Sequence, residues 1–295
     1  MRKKVFNSLL VLSLLVPTVF GSVVYGQEET KIDRNTLEKR KEIEKIIIES
    51  EIKAREYAKD KLKEQKGKTA EDYEGSSEFI EILLEKEKDI LSEYDIQRID
   101  EATINEDGGI SIQSTSPPTN AIDLGSPKVY SSSQGYLIVS SVYWKNEYWR
   151  KHLPVTSGSP AKMGGADGLG IFFNDSTNIE ISSSSFYTYD ESLKTYNNNL
   201  YPHRIGGSGV YYKAQDTVNV LWPNANSYSW DSSYITVWPY FKGRVNTTAR
   251  TQFTHTWGDT DISSVTIGNG YIGVTFSNPG YEWDGYSSGY AQINN

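Results

Sequence analysis

The spacing of apolar residues changes once along this chain, and that change constrains the fold more than any other feature. Between residues 27 and 101, apolar residues recur every three to four positions, which is the spacing of an amphipathic helix. From about residue 128 they alternate with polar residues, as in Ile272, Val274 and Phe276, which is typical of strands with one buried face. The sequence therefore predicts a mainly β protein: an antiparallel β-sandwich or jelly-roll-like domain preceded by an N-terminal α-helical hairpin.

Charge divides the chain at the same place. Of the 75 residues from 27 to 101, 39 are charged, whereas 26 of the 194 residues from 102 to 295 are charged. We interpret residues 27–101 as a charged helical segment that forms an αα-hairpin, with a second helix beginning at Gly75-Ser76-Ser77. The many charged residues of this segment are those expected on the solvent-exposed face of a helix. The alternative is that the segment is a removable pro-segment.

Residues 102–127 separate the two regions. Pairs such as Gly108-Gly109 and Pro117-Pro118 cannot continue a helix, and they predict a flexible linker. We expect an aromatic-rich antiparallel β domain over residues 128–295. Within it, Gly268-Asn269-Gly270 suits the tight turn of a β-hairpin, because glycine and asparagine accept positive φ angles.

The N-terminus has the pattern of a secretory signal peptide over residues 1–26. Arg2-Lys3-Lys4 precedes the apolar run Leu9–Val16, and small residues follow, so we predict cleavage after Gly26. The protein is then a secreted, extracellular bacterial protein with no stable membrane span. The alternative is an uncleaved anchor, since Val5–Tyr25 carries no charge and is long enough to cross a bilayer.

Net charge and cysteine content exclude several classes of function. The chain has no cysteine, so it has neither disulfides nor thiol chemistry. A formal net charge of −8 disfavours electrostatic binding to nucleic acid or anionic membranes. Neutral partners such as carbohydrate fit better. Nothing in the sequence predicts an oligomeric state.

Aromatic residues give the strongest functional pattern. In residues 234–241, alternation places Tyr234, Trp238 and Tyr240 on one face of a strand, opposite the aliphatic residues. If the aliphatic face is the core, the aromatic face can be open, and its rings can then stack on sugar rings. We therefore predict Tyr234, Trp238, Tyr240 and Trp283 as ligand-binding residues. The alternative is that these rings pack against a second sheet or against the helical hairpin.

Proline and histidine add little to this functional pattern. Pro239 lacks a backbone N–H and indicates an edge strand. The three histidines, His152, His203 and His255, lie far apart in sequence, and isolated histidines are usually structural.

Paired carboxylates are the only catalytic candidates. Glu282 and Asp284 lie two positions apart, so they share one face if their segment is a strand. Glycoside hydrolysis needs two such carboxylates flanking the scissile bond. Glu147 and Glu180 are further acids that could take part.

The sequence predicts no cofactor, but it leaves calcium as an alternative. Asp259 and Asp261 offer oxygen ligands in an expected loop, as does Asn174-Asp175-Ser176, and calcium prefers oxygen ligands. The twelve-residue calcium loop with its terminal glutamate is missing.

These patterns rank the candidate functions. The leading hypothesis is a non-catalytic secreted β-sandwich that binds extracellular carbohydrate or another surface component. The alternative is a secreted glycoside-hydrolase-like enzyme that uses paired carboxylates. A β-type membrane-active toxin and a matrix protein are further alternatives.

Overall fold

The computed structural model describes most of the helical and β regions of the chain. The described residues are 32–66, 76–99, 121–145, 161–190, 195–197, 202–221, 225–228 and 230–294, and all belong to one unit that begins at Ile32. The predicted signal peptide lies outside the described residues, as does most of the predicted linker. Both therefore stay predictions.

Two helices, α1 (Arg34–Lys66) and α2 (Ser77–Ser92), form the N-terminal layer. Ser76 caps α2, because its hydroxyl accepts a hydrogen bond from the Phe79 backbone N–H over 3.2 Å. Ala54 and Ala58 of α1 pack against Phe79 and its neighbours in α2. The predicted pair of packed helices and the predicted start of α2 are confirmed.

The described part of the chain forms eighteen strands. In chain order they are β1 (Gln97–Arg98), β2 (Ile122–Leu124), β3 (Lys128–Ser132), β4 (Gly135–Trp144), β5 (Ala161–Lys162), β6 (Asp167–Phe173), β7 (Ile179–Tyr189), β8 (Thr195–Asn197), β9 (Arg204–Gly206), β10 (Gly209–Ala214), β11 (Thr217–Leu221), β12 (Ala225–Tyr228), β13 (Ser232–Phe241), β14 (Asn246–Thr256), β15 (Asp261–Gly268), β16 (Tyr271–Ser277), β17 (Glu282–Tyr286) and β18 (Ala291–Asn294). β1 and β2 precede residue 128, where the sequence pattern placed the start of the β domain. Both are short strands formed by pairing with β3 and β4.

Two main antiparallel sheets make the sandwich. The first sheet has the order β1-β3-β4-β13-β7-β8, with β2 also paired to β4. The second has the order β17-β14-β6-β10-β9, with β18 also paired to β14. β12-β11-β5 and β15-β16 form two smaller sheets. The predicted mainly β, antiparallel fold is confirmed.

Apart from the small β12-β11-β5 sheet, the described residues form four layers, and each boundary between these layers has its own apolar cluster. The helices pack on the outer face of the first sheet through residues such as Ile47, Ile48 and Leu137. The largest core lies between the two main sheets. The β15–β16 hairpin, which includes the predicted glycine–asparagine turn, packs on the outer face of the second sheet.

No helix in the described ranges is both long enough and apolar enough to cross a membrane.

Candidate functional site

One end of the sandwich brings a histidine and two carboxyl groups together inside the core. His255 lies near the end of β14, and Asp167 begins the neighbouring strand β6. Both carboxyl oxygens of Asp167 lie 2.9 Å from Nδ1 of His255, and the Thr256 backbone N–H donates to one of them over 2.9 Å. Asp216, just after β10, is buried near both. Among the described residues, no lysine or arginine forms an ion pair with either carboxyl group.

Burial sets the protonation of these three groups. The pKa of His255 is lowered to about 4, because burial penalises the charged imidazolium. Burial raises the pKa of Asp167 well above its ordinary value, although the Thr256 N–H opposes that rise. The pKa of Asp216 is raised by burial and by the negative charge of Asp167. The imidazole is therefore neutral at pH 7, and its Nδ1 shares a hydrogen bond with the Asp167 carboxyl group.

Aromatic rings lead from this group to the surface. The His255 ring has its centroid 4.9 Å from that of Trp144 and 5.4 Å from those of Trp257 and Trp283. Trp257 stacks on the imidazole with 23° between the planes, and it is only partly buried. Tyr281 lies 6.1 Å from Trp257 and is 50 % exposed. A row of rings thus connects solvent with the buried His255–Asp167 pair.

Polar groups without partners lie on the facing sheet at the same end. Ser233 of β13 and Thr188 of β7 are direct cross-strand neighbours on the inner face. Neither hydroxyl has a hydrogen-bond partner in the described structure, and neither does Nε1 of Trp230. The Trp230 ring lies 6.2 Å from Phe253, which in turn lies 5.8 Å from Trp144. We call this region, with its four tryptophans at 144, 230, 257 and 283, the tryptophan end.

The chemistry of the tryptophan end suits a neutral polar ligand. Each buried hydrogen-bonding group without a partner costs about 1–3 kcal/mol, so such groups favour a partner that supplies donors and acceptors. Flat aromatic rings with a few convergent polar groups are the usual lining of small-molecule sites. Buried titratable groups with displaced pKa values are also enriched at functional sites.

The helical hairpin covers the aromatic strand face that the sequence singled out. Tyr234 and Trp238 are fully buried, so the expectation of an open face is wrong for both. Nε1 of Trp238 donates to the Glu44 carboxylate of α1 over 2.6 Å, and the Arg40 guanidinium lies 4.7 Å from the Trp238 ring. The helix therefore supplies polar partners that satisfy this face. Tyr240 is 52 % exposed, and the ligand-binding roles of all three residues stay predictions.

The carboxylates proposed from sequence are divided between two sheets. Glu282 and Asp284 alternate along β17 and therefore share its outer face. The pKa of Asp284 is raised, chiefly by burial and further by the charge of Glu282. Trp283, between them, lies instead in the core at the tryptophan end. Glu180, at the start of β7, forms an ion pair with the lysine that follows β13. Glu147 lies outside the described residues.

The calcium candidates do not converge. The Asp261 carboxylate lies 2.9 Å from Nζ of Lys213 and accepts a hydrogen bond from the Ala166 backbone N–H. Asp259 is exposed. Across the described ranges, no group of three or more histidine, aspartate or glutamate side chains is placed to hold a metal ion. A calcium site at these residues stays a prediction.

Several residues of the tryptophan end were missed from sequence. Asp167 begins β6 and Asp216 lies between β10 and β11, both in unremarkable sequence contexts, and only the fold brings them to His255. Trp257 and Tyr281 flank strand ends, where ligand-contacting residues often lie. Their position beside strand ends was the one sequence feature that could have identified Trp257 and Tyr281.

Comparisons with known proteins add no functional assignment. No protein-family model matches the chain, and no curated protein matches it. A solved structure described as "AvmM Catalyzes Macrocyclization in Alchivemycin A Biosynthesis" is similar over 59 % of this chain and 92 % of its own, with 11 % identity and a TM-score of 0.21. A TM-score that low carries no argument about fold or function.

Proposed function

We propose that this chain is a secreted β-sandwich protein that binds carbohydrate at the tryptophan end. One observation carries the proposal: a row of aromatic rings runs from half-exposed Tyr281 through Trp257 to the buried His255–Asp167 pair. Sugars present apolar ring faces and many hydroxyls, and this combination matches aromatic platforms beside neutral hydrogen-bonding groups.

Charge and location support the same ligand class. The formal net charge of −8 disfavours polyanions. The burial-lowered pKa of His255 leaves an uncharged imidazole at neutral pH, so the site offers no fixed cation for an anionic ligand. The signal-peptide pattern of residues 1–26 would carry the protein to where polysaccharides are abundant.

Calorimetric titration of the mature protein with a panel of neutral oligosaccharides tests the proposal. We expect Tyr281→Ala to weaken binding by about fivefold or more, the usual effect of removing an aromatic anchor. Tyr94→Ala is the matched control, because Tyr94 is 51 % exposed just after α2, away from the second sheet and its hairpin. It should bind as the unmodified protein does.

Tyr240→Ala tests the face predicted from sequence instead. A loss of binding in Tyr240→Ala with none in Tyr281→Ala would move the site to the first sheet. Failure of every oligosaccharide in the panel to bind would refute the proposed function.

Glycoside hydrolysis is a second candidate, favoured by the raised pKa of Asp284 beside Glu282. A carboxyl group that keeps its proton can act as the general acid while a second carboxylate activates water. Alternate residues of a strand lie about 6.8 Å apart, near the carboxylate spacing of inverting enzymes. Release of reducing ends from neutral polysaccharide, lost in Asp284→Asn and in Glu282→Gln, would establish it. No release by the unmodified protein would exclude it for the substrates used.

A further inference from the structure

The β15–β16 hairpin is a separate layer on the outer face of the second sheet. Among the described strands, β15 and β16 pair only with each other. No residue from Ile262 to Ser277 carries a formal charge. Ile262 and Ile272 are buried against Phe172 and Tyr211 of the sheet. Side-chain packing rather than strand pairing therefore holds most of the hairpin in place.

The sheet beneath this apolar layer is partly polar. Gln252 and Thr254 of β14 are fully buried there, beside Asp284 of β17. Gln252 lies close enough to Asp284 to lower its pKa, but neither amide atom of Gln252 has a hydrogen bond of normal geometry in the described structure. Burial raises the pKa of Asp284 despite that neighbour. Lifting the hairpin would let water solvate these groups, which lowers the free-energy cost of opening.

The turn of the hairpin is fastened to the body by one side chain. Oδ1 of Asn269 accepts hydrogen bonds from the hydroxyls of Ser176, over 2.7 Å, and Ser208, over 2.9 Å. One backbone hydrogen bond, from Gly270 N–H to the Phe173 carbonyl over 2.8 Å, accompanies them. The base of the hairpin is held separately by Lys213 of β10, whose ammonium group donates to the Asp261 carboxylate over 3.0 Å and to the Ile262 carbonyl over 2.6 Å. Opening therefore has to break one contact group at the turn and one at the base.

Residues with positive φ angles lie at both ends of the hairpin. Gly258 precedes β15 with φ +63°, and Asn278 and Gly280 follow β16 with φ +48° and +137°. Positive φ angles are available mainly to glycine and asparagine. A few terminal residues that can absorb large backbone changes are what a hinge requires.

The hinges adjoin the outermost rings of the tryptophan end. Gly258 follows Trp257 directly, and Tyr281 follows the second hinge. With the hairpin closed, the Trp257 N–H donates to the Tyr281 carbonyl over 2.9 Å. The Thr260 hydroxyl donates to the Asn278 carbonyl over 2.6 Å and accepts from the Tyr281 N–H over 3.2 Å. Closure therefore adds one hydrogen bond to the backbone of Tyr281, from its N–H to Thr260 on the hairpin side of Gly258, whereas the Trp257–Tyr281 bond continues the β14–β17 pairing outside both hinges.

We propose that the β15–β16 hairpin is a hinged flap whose closure is coupled to ligand binding at the tryptophan end. The coupling rests on the proposed function, because the ligand is the carbohydrate that stacks on Trp257 and Tyr281. A ligand that needs both rings in place binds the closed form and stabilises it. Sugar binding then lowers the population of the open flap, and flap opening weakens the affinity for sugar.

Hydrogen exchange of the intact chain, with and without a bound neutral oligosaccharide, measures this coupling. Without sugar, hairpin amides should exchange through local opening, faster than those of β14, and Asn269→Ala should speed that exchange about tenfold. Sugar at ten times its dissociation constant should slow hairpin exchange about tenfold, because ligand binding to the closed form lowers the open population by that factor. Amides of β4 and β13 on the other sheet are the internal control.

A disulfide lock provides a matched variant. The chain has no cysteine, and the Ser208 hydroxyl lies 2.9 Å from Oδ1 of Asn269, so Asn269→Cys with Ser208→Cys places two thiols at this contact. Mass spectrometry under non-reducing conditions identifies the oxidised form, in which the disulfide fastens the flap. The oxidised form should bind sugar at least as tightly as the reduced form.

The outcomes separate this inference from the proposed function. If sugar binds but the hydrogen exchange of the hairpin amides does not change, the coupling is overturned and the proposed function stands. Loss of sugar binding in the oxidised variant alone would have the same meaning. Hairpin exchange no faster than that of β14 in the free protein would overturn the flap itself. Absence of binding to every variant would overturn the proposed function and with it the coupling.

Discussion

Replacing Asp216 by asparagine should make the protein more resistant to rising pH. The carboxyl group is buried beside Asp167, and its pKa is raised by burial and by that neighbour's charge. An unfolded chain releases the proton near pH 4, whereas the folded chain keeps it to higher pH. Between those two pKa values the unfolded state binds fewer protons, so stability present at low pH is lost as pH rises. Asparagine keeps the acceptor for Gln215 Nε2 and has no proton to lose.

The magnitude follows from the linkage relation. As pH rises above about 4, the unmodified protein should lose up to about 1.4 kcal/mol of unfolding free energy per pH unit relative to the Asp216→Asn variant. The loss ends at the pH where the carboxyl group of the folded protein ionises. Urea unfolding at pH 4, 5, 6 and 7 measures the difference. Asp259→Asn, at an exposed position, is the control and should follow the unmodified protein. Parallel stability curves for Asp216→Asn and the unmodified protein would refute the reasoning.

Two further substitutions test the packing. Glu44→Ala removes the carboxylate that accepts hydrogen bonds from two aromatic side chains buried under α1, so it should lower the free energy of unfolding by about 2–4 kcal/mol. Glu42 is exposed, so Glu42→Ala should change that free energy by less than about 0.5 kcal/mol. Chemical denaturation measures both. Gly168→Ala would place a Cβ 1.9 Å from the Tyr211 hydroxyl, so it should destabilise the fold by about 1–3 kcal/mol and lower the thermal midpoint. At Gly206 an added Cβ would meet no atom within 4 Å, so Gly206→Ala should leave the thermal midpoint nearly unchanged. Equal effects within either pair would contradict the contacts described.

Alternation along the strands was enough to predict which strand faces are apolar but not what covers them. The aliphatic residues Ile235 and Val237 belong to the core between the sheets, as alternation required. Trp238 lies on the opposite face, and only the tertiary position of α1 decides that it is buried. The charged residues of α1 looked like a solvated surface in sequence, yet Glu44 is one of the groups that satisfy the aromatic face.

Pro239 shows why local rules need the sheet order. β13 lies between β4 and β7, so the prediction of an edge strand is wrong for the strand as a whole. Its pairing with β4 ends at Val237, and the register with β7 shifts next to the proline. The missing N–H therefore falls where one side of the strand is already unpaired and the ladder is irregular.

The candidate site was the least predictable part because its residues are distant in sequence. Asp167 and His255 are 88 positions apart, and a pairing between β6 and β14 brings them to 2.9 Å. Taken alone, His255 looked like an ordinary structural histidine. Its significance comes from buried neighbours that no local pattern reveals.

Tryptophan fluorescence during titration with a neutral oligosaccharide tests the central claim most directly, because four of the five tryptophans in the described ranges lie at the tryptophan end. Binding there should shift the emission, and Trp257→Phe should abolish most of that shift. Trp238→Phe, altered under the helical hairpin, should leave it in place. A shift that survives Trp257→Phe and disappears in Trp238→Phe would contradict the account and place the ligand on the face that α1 covers.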